Sequence, residues 1–441
     1  MTERASGSRS LISKRLRAGG PILLVCATWL VAGSAFAQTA RTAQSAQAQA
    51  VQTDTGNVAV LERPRPDYEA TGVRLGAFVA YPRVTVRGVY DDNVFATPNA
   101  QSDSLVSLAP ALSIRSDWPR HAVSLSADAD LRRYDKFTSE DTNTWAVEGQ
   151  GRLDVSHDSE IVATLSGGDR VESREYAVSD VETEKPVRYG VEAATVKASH
   201  DFNRVKVVGT VDVSRQDYHD ARDQAGGVVD EDYRDLTQTD GTVKISYAVS
   251  PASAFFVESG LRWLDEGRVD GRARDSHGVT VLLGVDREIT RLIVGELSAG
   301  YLRQTFDDAF YQPVEKFHYR ARLTWYPTPL LTVGLAATQS VDDSALRDSP
   351  GVLTQTAQIN ADYELLRNVI ISGQLSGTDQ KYRGVDREDR RLGSGLSVNY
   401  LANHAVGLSF RYRFDRLASS GARQGKDFQD NTLSLALVLQ R

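Results

Sequence analysis

Over residues 82–441 the chain alternates apolar and polar side chains, segment after segment, for ten or more residues at a time. In 121–134, Val123, Leu125, Ala127, Ala129 and Leu131 fall on one side, and Ser124, Ser126, Asp128, Asp130 and Arg132 on the other. Near the end, Val406, Leu408, Phe410, Tyr412 and Phe414 alternate with Gly407, Ser409, Arg411, Arg413 and Asp415. In 317–325, Phe317, Tyr319, Ala321, Leu323 and Trp325 oppose His318, Arg320, Arg322 and Thr324. Successive side chains of a strand point to opposite faces, so period two gives one apolar and one polar face. A helix would scatter the same residues around its circumference.

About 18 such segments follow one another, with 16 as the alternative count. They fall near 82–96, 104–116, 121–136, 143–157, 160–175, 189–201, 204–218, 233–249 and 254–267, then 275–287, 291–306, 314–327, 330–342, 351–365, 368–382, 388–401, 404–417 and 428–441. Their connections alternate in length. Tight turns fall at 117–120, 157–160, 202–203, 250–253, 288–290, 327–329, 367–368 and 402–403. Longer polar loops lie between them, among them 177–188, 219–232, 267–275, 307–312, 343–349 and 418–426. Short turns on one rim and long loops on the other are the habit of a bacterial outer-membrane barrel, with the short turns in the periplasm.

A soluble β-sandwich alternates too, because one face packs on a second sheet. Segment length argues against it, since ~12–15 residues far exceed the usual strand of about 5–6 and suffice to cross a membrane at a tilt. Charge on the polar face argues the same way. We place Arg83, Arg87, Asp128, Asp130, Arg132, Glu148, Arg152, Glu258, Arg262, Arg320, Arg322, Arg411 and Arg413 on the lumen side of a wide barrel. Asp154 and Glu296 join them. Trp118, Tyr247, Trp325, Tyr326 and Tyr400 near the short-turn ends, with Trp145 and Trp263 near the other, fit two aromatic interface belts.

The expected organisation therefore has three parts. Residues 1–37 read as a cleaved signal peptide. A cationic start (Arg4, Arg9, Lys14, Arg15, Arg17) leads into the apolar run 21–32 and the cleavage pattern Ala35-Phe36-Ala37. Residues 38–72, rich in Gln, Ala and Thr, read as a flexible periplasmic segment, or else a short plug or docking strand. Residues 73–441 form an all-β, antiparallel transmembrane barrel. Cleavage removes Cys26, the single cysteine, and leaves 46 basic against 57 acidic residues, a charge of about −11. An acidic chain with no basic block excludes nucleic acid as a partner.

One region carries a family resemblance. Arg63-Pro64-Arg65-Pro66-Asp67-Tyr68, Thr71-Gly72-Val73-Arg74-Leu75-Gly76-Ala77-Phe78 and Tyr81-Pro82 are followed by Val89-Tyr90-Asp91-Asp92-Asn93-Val94-Phe95. Next come Ser102-Asp103, Leu108-Ala109-Pro110 and Arg115-Ser116-Asp117-Trp118-Pro119-Arg120-His121. This stretch, about 63–135, resembles the putative β-barrel porin 2 family of largely alphaproteobacterial outer-membrane barrels. The resemblance implies an outer-membrane location, outer-membrane lipid and lipopolysaccharide as surroundings, the barrel-assembly machinery as a partner, and for some members a link to exopolysaccharide production. In one departure, barrels of this class commonly end in an aromatic residue read by that machinery, whereas this chain ends Leu437-Val438-Leu439-Gln440-Arg441.

Little else suggests chemistry. The seven histidines (121, 157, 200, 219, 277, 318 and 404) show no metal-ligand spacing. Asp91-Asp92-Asn93 lacks the glycine and distal glutamate of a calcium loop and reads as turn chemistry. Ser166-Gly167-Gly168-Asp169 precedes no helix, so it is no phosphate loop. Neither catalytic set nor cofactor is expected. The leading expectation is a porin-like channel for small hydrophilic solutes, weakly ion-selective because the polar face mixes both signs. The alternatives are an accessory barrel in exopolysaccharide export or surface display, and a closed structural or adhesive surface barrel.

Overall fold

The computed structural model describes residues 57–175, 182–269, 271–342, 344, 346 and 348–441. The segment read as a signal peptide lies outside them. Eighteen long strands run in chain order as β1 (Phe78–Asp91), β2 (Asp103–Ser116), β3 (Ala122–Tyr134), β4 (Thr142–Asp154), β5 (Ser159–Val171) and β6 (Arg188–Phe202). They continue as β7 (Val205–Tyr218), β8 (Leu236–Ser250), β9 (Ser253–Glu266), β10 (Ser276–Thr290), β11 (Ile293–Phe306) and β12 (Val314–Thr328). The last six are β13 (Leu331–Asp342), β14 (Val352–Leu366), β15 (Val369–Tyr382), β16 (Glu388–Leu401), β17 (Val406–Ser420) and β18 (Phe428–Gln440). Each pairs antiparallel with the next, and β18 pairs with β1 from Arg83↔Gln440 to Asp91↔Thr432. The sheet thus closes on itself, an antiparallel barrel of eighteen strands, as the alternation and the turn spacing require.

Two- to five-residue turns join the strands at one rim, and loops of five to seventeen residues join them at the other. Of the two-residue turns, the one between β6 and β7 takes positive φ, at Asn203 (59°). A 14-residue strand such as β1 is ~45 Å long at ~3.3 Å per residue. Tilted by ~40°, it overtops the ~25 Å apolar band of a membrane barrel.

The exposure pattern alternates as the sequence does. Val84, Val86 and Tyr90 of β1, or Leu433, Leu435, Leu437 and Leu439 of β18, stand exposed, while Arg87 and Ala436 between them are buried. Leu165, Phe317 and Leu283 expose 66%, 65% and 63% of their surface. So continuous an apolar exterior is made for hydrocarbon, because water would charge about 25 cal/mol for every Å² of it. Trp118, Trp325, Tyr247 and Tyr400 lie exposed toward one rim, and Trp145 and Trp263 toward the other. Tyr326 departs from this belt. It follows the outward Trp325, so the pleat turns it to the other face, where Glu62 is a charged neighbour.

The first strand begins four residues before the expected position. Proline reads as a strand start because it cannot donate a ladder hydrogen bond. Here Pro82 pairs with Leu112 of β2 on one side, and on the other it lies just past the last β18 partner, Gln440. Its carbonyl still accepts from the Arg441 N–H at 3.1 Å, so the missing donor interrupts only the last rung of the seam, and β18 leaves the edge before it uncovered. Val73–Leu75 folds back on Phe78–Ala80 in that gap and covers the free edge. Likewise β5 ends at Val171 rather than continuing to 175, because 172–175 leave the wall for contacts described below.

Candidate functional site

A charged band occupies the face opposite the apolar exterior. Lys244 of β8 reaches Glu296 of β11 at 2.9 Å and Asp286 of β10 at 3.3 Å. Arg320 of β12 donates to Glu258 of β9 at 2.8 Å and to Glu296 at 3.2 Å. Each longest link crosses three strand spacings, about 14 Å along a sheet. Side chains meet across that distance only where they converge, on the concave inner side of the wall. Arg262 binds Asp240 on the neighbouring strand at 2.7 Å. Thr195 and Gln238 extend the band through Asp212 and Asp240. Phe256 lies beneath it, with the Lys244 ammonium 3.7 Å from its ring centre.

Of the charged residues singled out in the sequence, Glu258, Arg262, Glu296 and Arg320 meet in this band. Arg322 lies beside it, with Arg320, Glu296 and Glu258 as charged neighbours. Asp130 pairs with Arg132 at 3.1 Å, and Arg152 with Asp154 at 3.2 Å. Arg413 joins Glu175, Asp415 and Asp430. Arg411 has Arg87 and Arg413 as charged neighbours. Among the described residues, Arg83, Asp128 and Glu148 take no ion pair. Lys244, Asp240 and Asp286 escaped the sequence reading, although Asp240 and Lys244 occupy the polar positions of an alternating segment.

The long-loop mouth is crossed by residues 172–175. Glu172 grips Arg234 with both oxygens, at 2.7 and 3.0 Å, and Arg234 stacks over Tyr218 at 4.2 Å. Arg174 holds Glu140 in the same bidentate way, at 2.8 and 3.0 Å. Lys426 donates to the Arg174 carbonyl at 2.7 Å. Glu175 then meets Arg413, while Arg391 donates to its carbonyl. Four consecutive residues thus tie β5 to three other loops and to the wall at β16 and β17.

Their electrostatics follow from enclosure. Burial pulls the Lys426 ammonium down to about 8, and Arg174 adds to the shift. Burial alone would raise Glu175, but Arg413 and Arg391 hold its carboxyl below the usual range. Burial opposes the charge of Arg234 too, and Glu172 more than offsets it, so this guanidinium is held more firmly charged than usual.

The short-turn mouth is edged by residues 57–72, whose composition predicts no regular structure. Asn57 donates to the Arg291 carbonyl at 2.5 Å. The backbone of Val60, in a 3₁₀ turn, donates to Thr332 at 3.0 Å. Arg65 binds the Val60 carbonyl at 2.8 Å and Glu364 at 2.9 Å. Arg367 donates to the Pro64 carbonyl at 2.7 Å, and the Glu69 carbonyl lies 2.9 Å from His404 Nδ1. The anchors run from the β10–β11 turn through β13 and β14 to the β16–β17 turn. The segment is therefore a strap following the rim around about a third of the barrel, fastened through residues far away in sequence.

Other residues take defined places in the wall. Asp91 accepts from the backbone of Asn93 at 2.8 Å, and Asp92 holds Asn431 with both oxygens at 2.7 Å each, pinning the β1 end to β18. Ser159 and His200 are cross-strand partners 2.6 Å apart. They lie on the outer face, in step with Val196 and Phe202, and among the described residues no carboxylate bonds the ring. No helix among the described residues is long and apolar enough to cross a membrane.

Residues 65–441 match the sequence profile of the family described as putative beta-barrel porin 2. No curated protein matches the chain. Several solved structures are similar to the chain at low identity. Pseudomonas aeruginosa OpdO is 12% identical, with 82% of this chain and 97% of that one covered at a TM-score of 0.43. The siderophore receptor PirA from Acinetobacter baumannii is 6% identical, with 82% and 80% covered at 0.46. A mutant form of the ferric enterobactin receptor PfeA from Pseudomonas aeruginosa is 7% identical, with 85% and 81% covered at 0.45.

Proposed function

Because the chain belongs to the putative beta-barrel porin 2 family, we propose that it resides in the outer membrane and passes small hydrophilic solutes along its charged inner face. The observation that carries this reading is the division of the wall, with Leu433, Leu435 and Leu437 exposed outside and Lys244, Glu296, Arg320 and Glu258 joined inside. An interior of ionised groups favours water over lipid, and eighteen strands leave room for it. The surrounding lipid and lipopolysaccharide meet the apolar exterior, and the assembly machinery inserts it. No catalytic step is part of this reading.

A second reading, a closed surface barrel, draws support from the strap at one mouth and residues 172–175 at the other. Liposome swelling separates the two. Proteoliposomes holding the folded barrel should swell in small neutral solutes at rates falling with solute size. Folded barrel that leaves swelling at the empty-liposome rate favours the closed reading. If surface polysaccharide then vanishes from a deletion strain, export becomes the better account.

A further inference from the structure

The inner wall beside the closing seam holds an arginine that the protein does not neutralise. Arg87 lies in β1 between Val86, which is exposed outside, and Gly88, and only 8% of its surface is accessible. Among the described residues no hydrogen bond or ion pair reaches its guanidinium. Its charged neighbours are Asp130 and Arg132. Asp130 is already committed, with Ser107 donating to one carboxylate oxygen at 2.6 Å and Arg132 to the other at 3.1 Å. Arg411 adds a further positive charge, with Arg87 and Arg413 as its charged neighbours. Arg87 thus faces two further guanidiniums, Arg132 and Arg411, and one carboxylate that is already engaged.

The register gives this charge a floor of small side chains. Arg87 pairs with Ser107 on β2 and with Ala436 on β18, and Ala436 pairs in turn with Ser409 on β17. Arg411 lies two residues beyond Ser409, on the same face. No bulky group of those rungs fills the space between the two guanidiniums.

A guanidinium cannot shed its charge as a lysine or histidine can. Enclosing it without a partner is costly, so solvent or a ligand must supply what the protein withholds. Its planar fork fits the paired oxygens of a carboxylate or phosphate.

We propose that Arg87, with Arg411 beside it, forms a binding subsite for a small oxyanion, a carboxylate or phosphate. The proposal rests on the reading of the inner face as a solute path and names the class of solute that this path favours. An oxyanion here would bridge the two guanidiniums, accept from the fork of Arg87, and relieve their mutual repulsion.

The test uses the full barrel folded in detergent, titrated with inorganic phosphate at low ionic strength in a calorimeter. Saturable binding is expected, weakened about tenfold or more in R87Q because a charge-assisted bidentate contact is lost. R87K, which keeps the charge but not the fork, should lie between. R303Q, whose native arginine is paired with Glu315 on the outer face in step with Leu297 and Tyr301, should bind as the native protein does. Heat-modifiable gel migration establishes that each variant is folded. Equal binding by native protein and R87Q, or no saturable binding to folded native barrel, overturns the subsite. Conductance in planar bilayers reads the parent proposal separately. A barrel that binds phosphate but carries no current keeps the subsite and loses the channel, and one that conducts without binding phosphate does the reverse.

Discussion

Arg65 and Glu364, 299 positions apart in the chain, form a 2.9 Å ion pair with only 1% and 4% of their side chains exposed. The pair locks the strap to the rim. Glu364 also collects Arg63 at 3.5 Å and Arg367 at 3.3 Å. Burial pulls the Arg65 guanidinium down and Glu364 opposes that pull. Removing one partner of such a pair leaves an enclosed charge unmatched, at a cost of about 3–5 kcal/mol.

Glu364→Gln should therefore release residues 57–72 without unfolding the barrel. Limited proteolysis should cut within 57–72 many times faster in the variant, while its folded gel migration is retained. An unchanged cleavage rate would mean that the remaining hydrogen bonds suffice to hold the strap.

The outer mouth should respond to alkali in a defined direction. Below pH 8 the Lys426 amine is charged whether its loop is docked or released, so the docked form bears the full cost of enclosing the charge. Between about 8 and the ordinary 10.5 the docked lysine has lost its proton and the released one has not. Docking therefore strengthens as pH rises through this window. Hydrogen exchange of the loop amides, corrected for intrinsic rates, should slow from pH 7.5 to 9.5, and Lys426→Met should abolish the difference. Faster corrected exchange at 9.5 would contradict this.

The two faces of β18 should tolerate charge very differently. Leu435→Arg places a guanidinium in hydrocarbon and should cost ~2–4 kcal/mol if the site lies near the bilayer midplane. Ser434→Glu, one residue away on the inner face and opposite Arg411, should cost far less. Denaturant titration of barrel folded in lipid vesicles measures both, and equal losses would mean that the faces are misassigned.

Packing of the wall makes a further contrast between two glycines. A Cβ on Gly300 would come to 1.8 Å from the Val281 carbonyl oxygen, whereas one on Gly373 would meet nothing within 4 Å. Gly300→Ala should cost ~1–3 kcal/mol, since backbone must shift to admit it. Gly373→Ala should change stability by less than about 0.5 kcal/mol. The same vesicle titrations check the pair.

The barrel was legible in the sequence because each strand writes its own two faces locally. β16 spans 388–401 and β18 begins at Phe428, as the alternation alone places them. The strap was not legible, because residues 57–72 carry no period and depend on Thr332, Glu364 and His404, which local patterning cannot connect to them. Glu175 escaped for the same reason, since nothing in its neighbourhood says that Arg413 will meet it. Asp240 and Lys244 were readable, and only the weaker apolar partners of their segment, Thr239 and Gly241, obscured them. Pro82 misled because its missing donor falls at the last rung of the seam, opposite Arg441, where little of the ladder is left to interrupt.

Single-channel recording in a planar bilayer tests the central claim most directly. The folded barrel should insert to give discrete current steps that stay open and scale linearly with voltage, larger in Glu364→Gln, whose strap is freed. Folded, inserted protein that yields no steps in either the native or the Glu364→Gln form would contradict the account of a solute path.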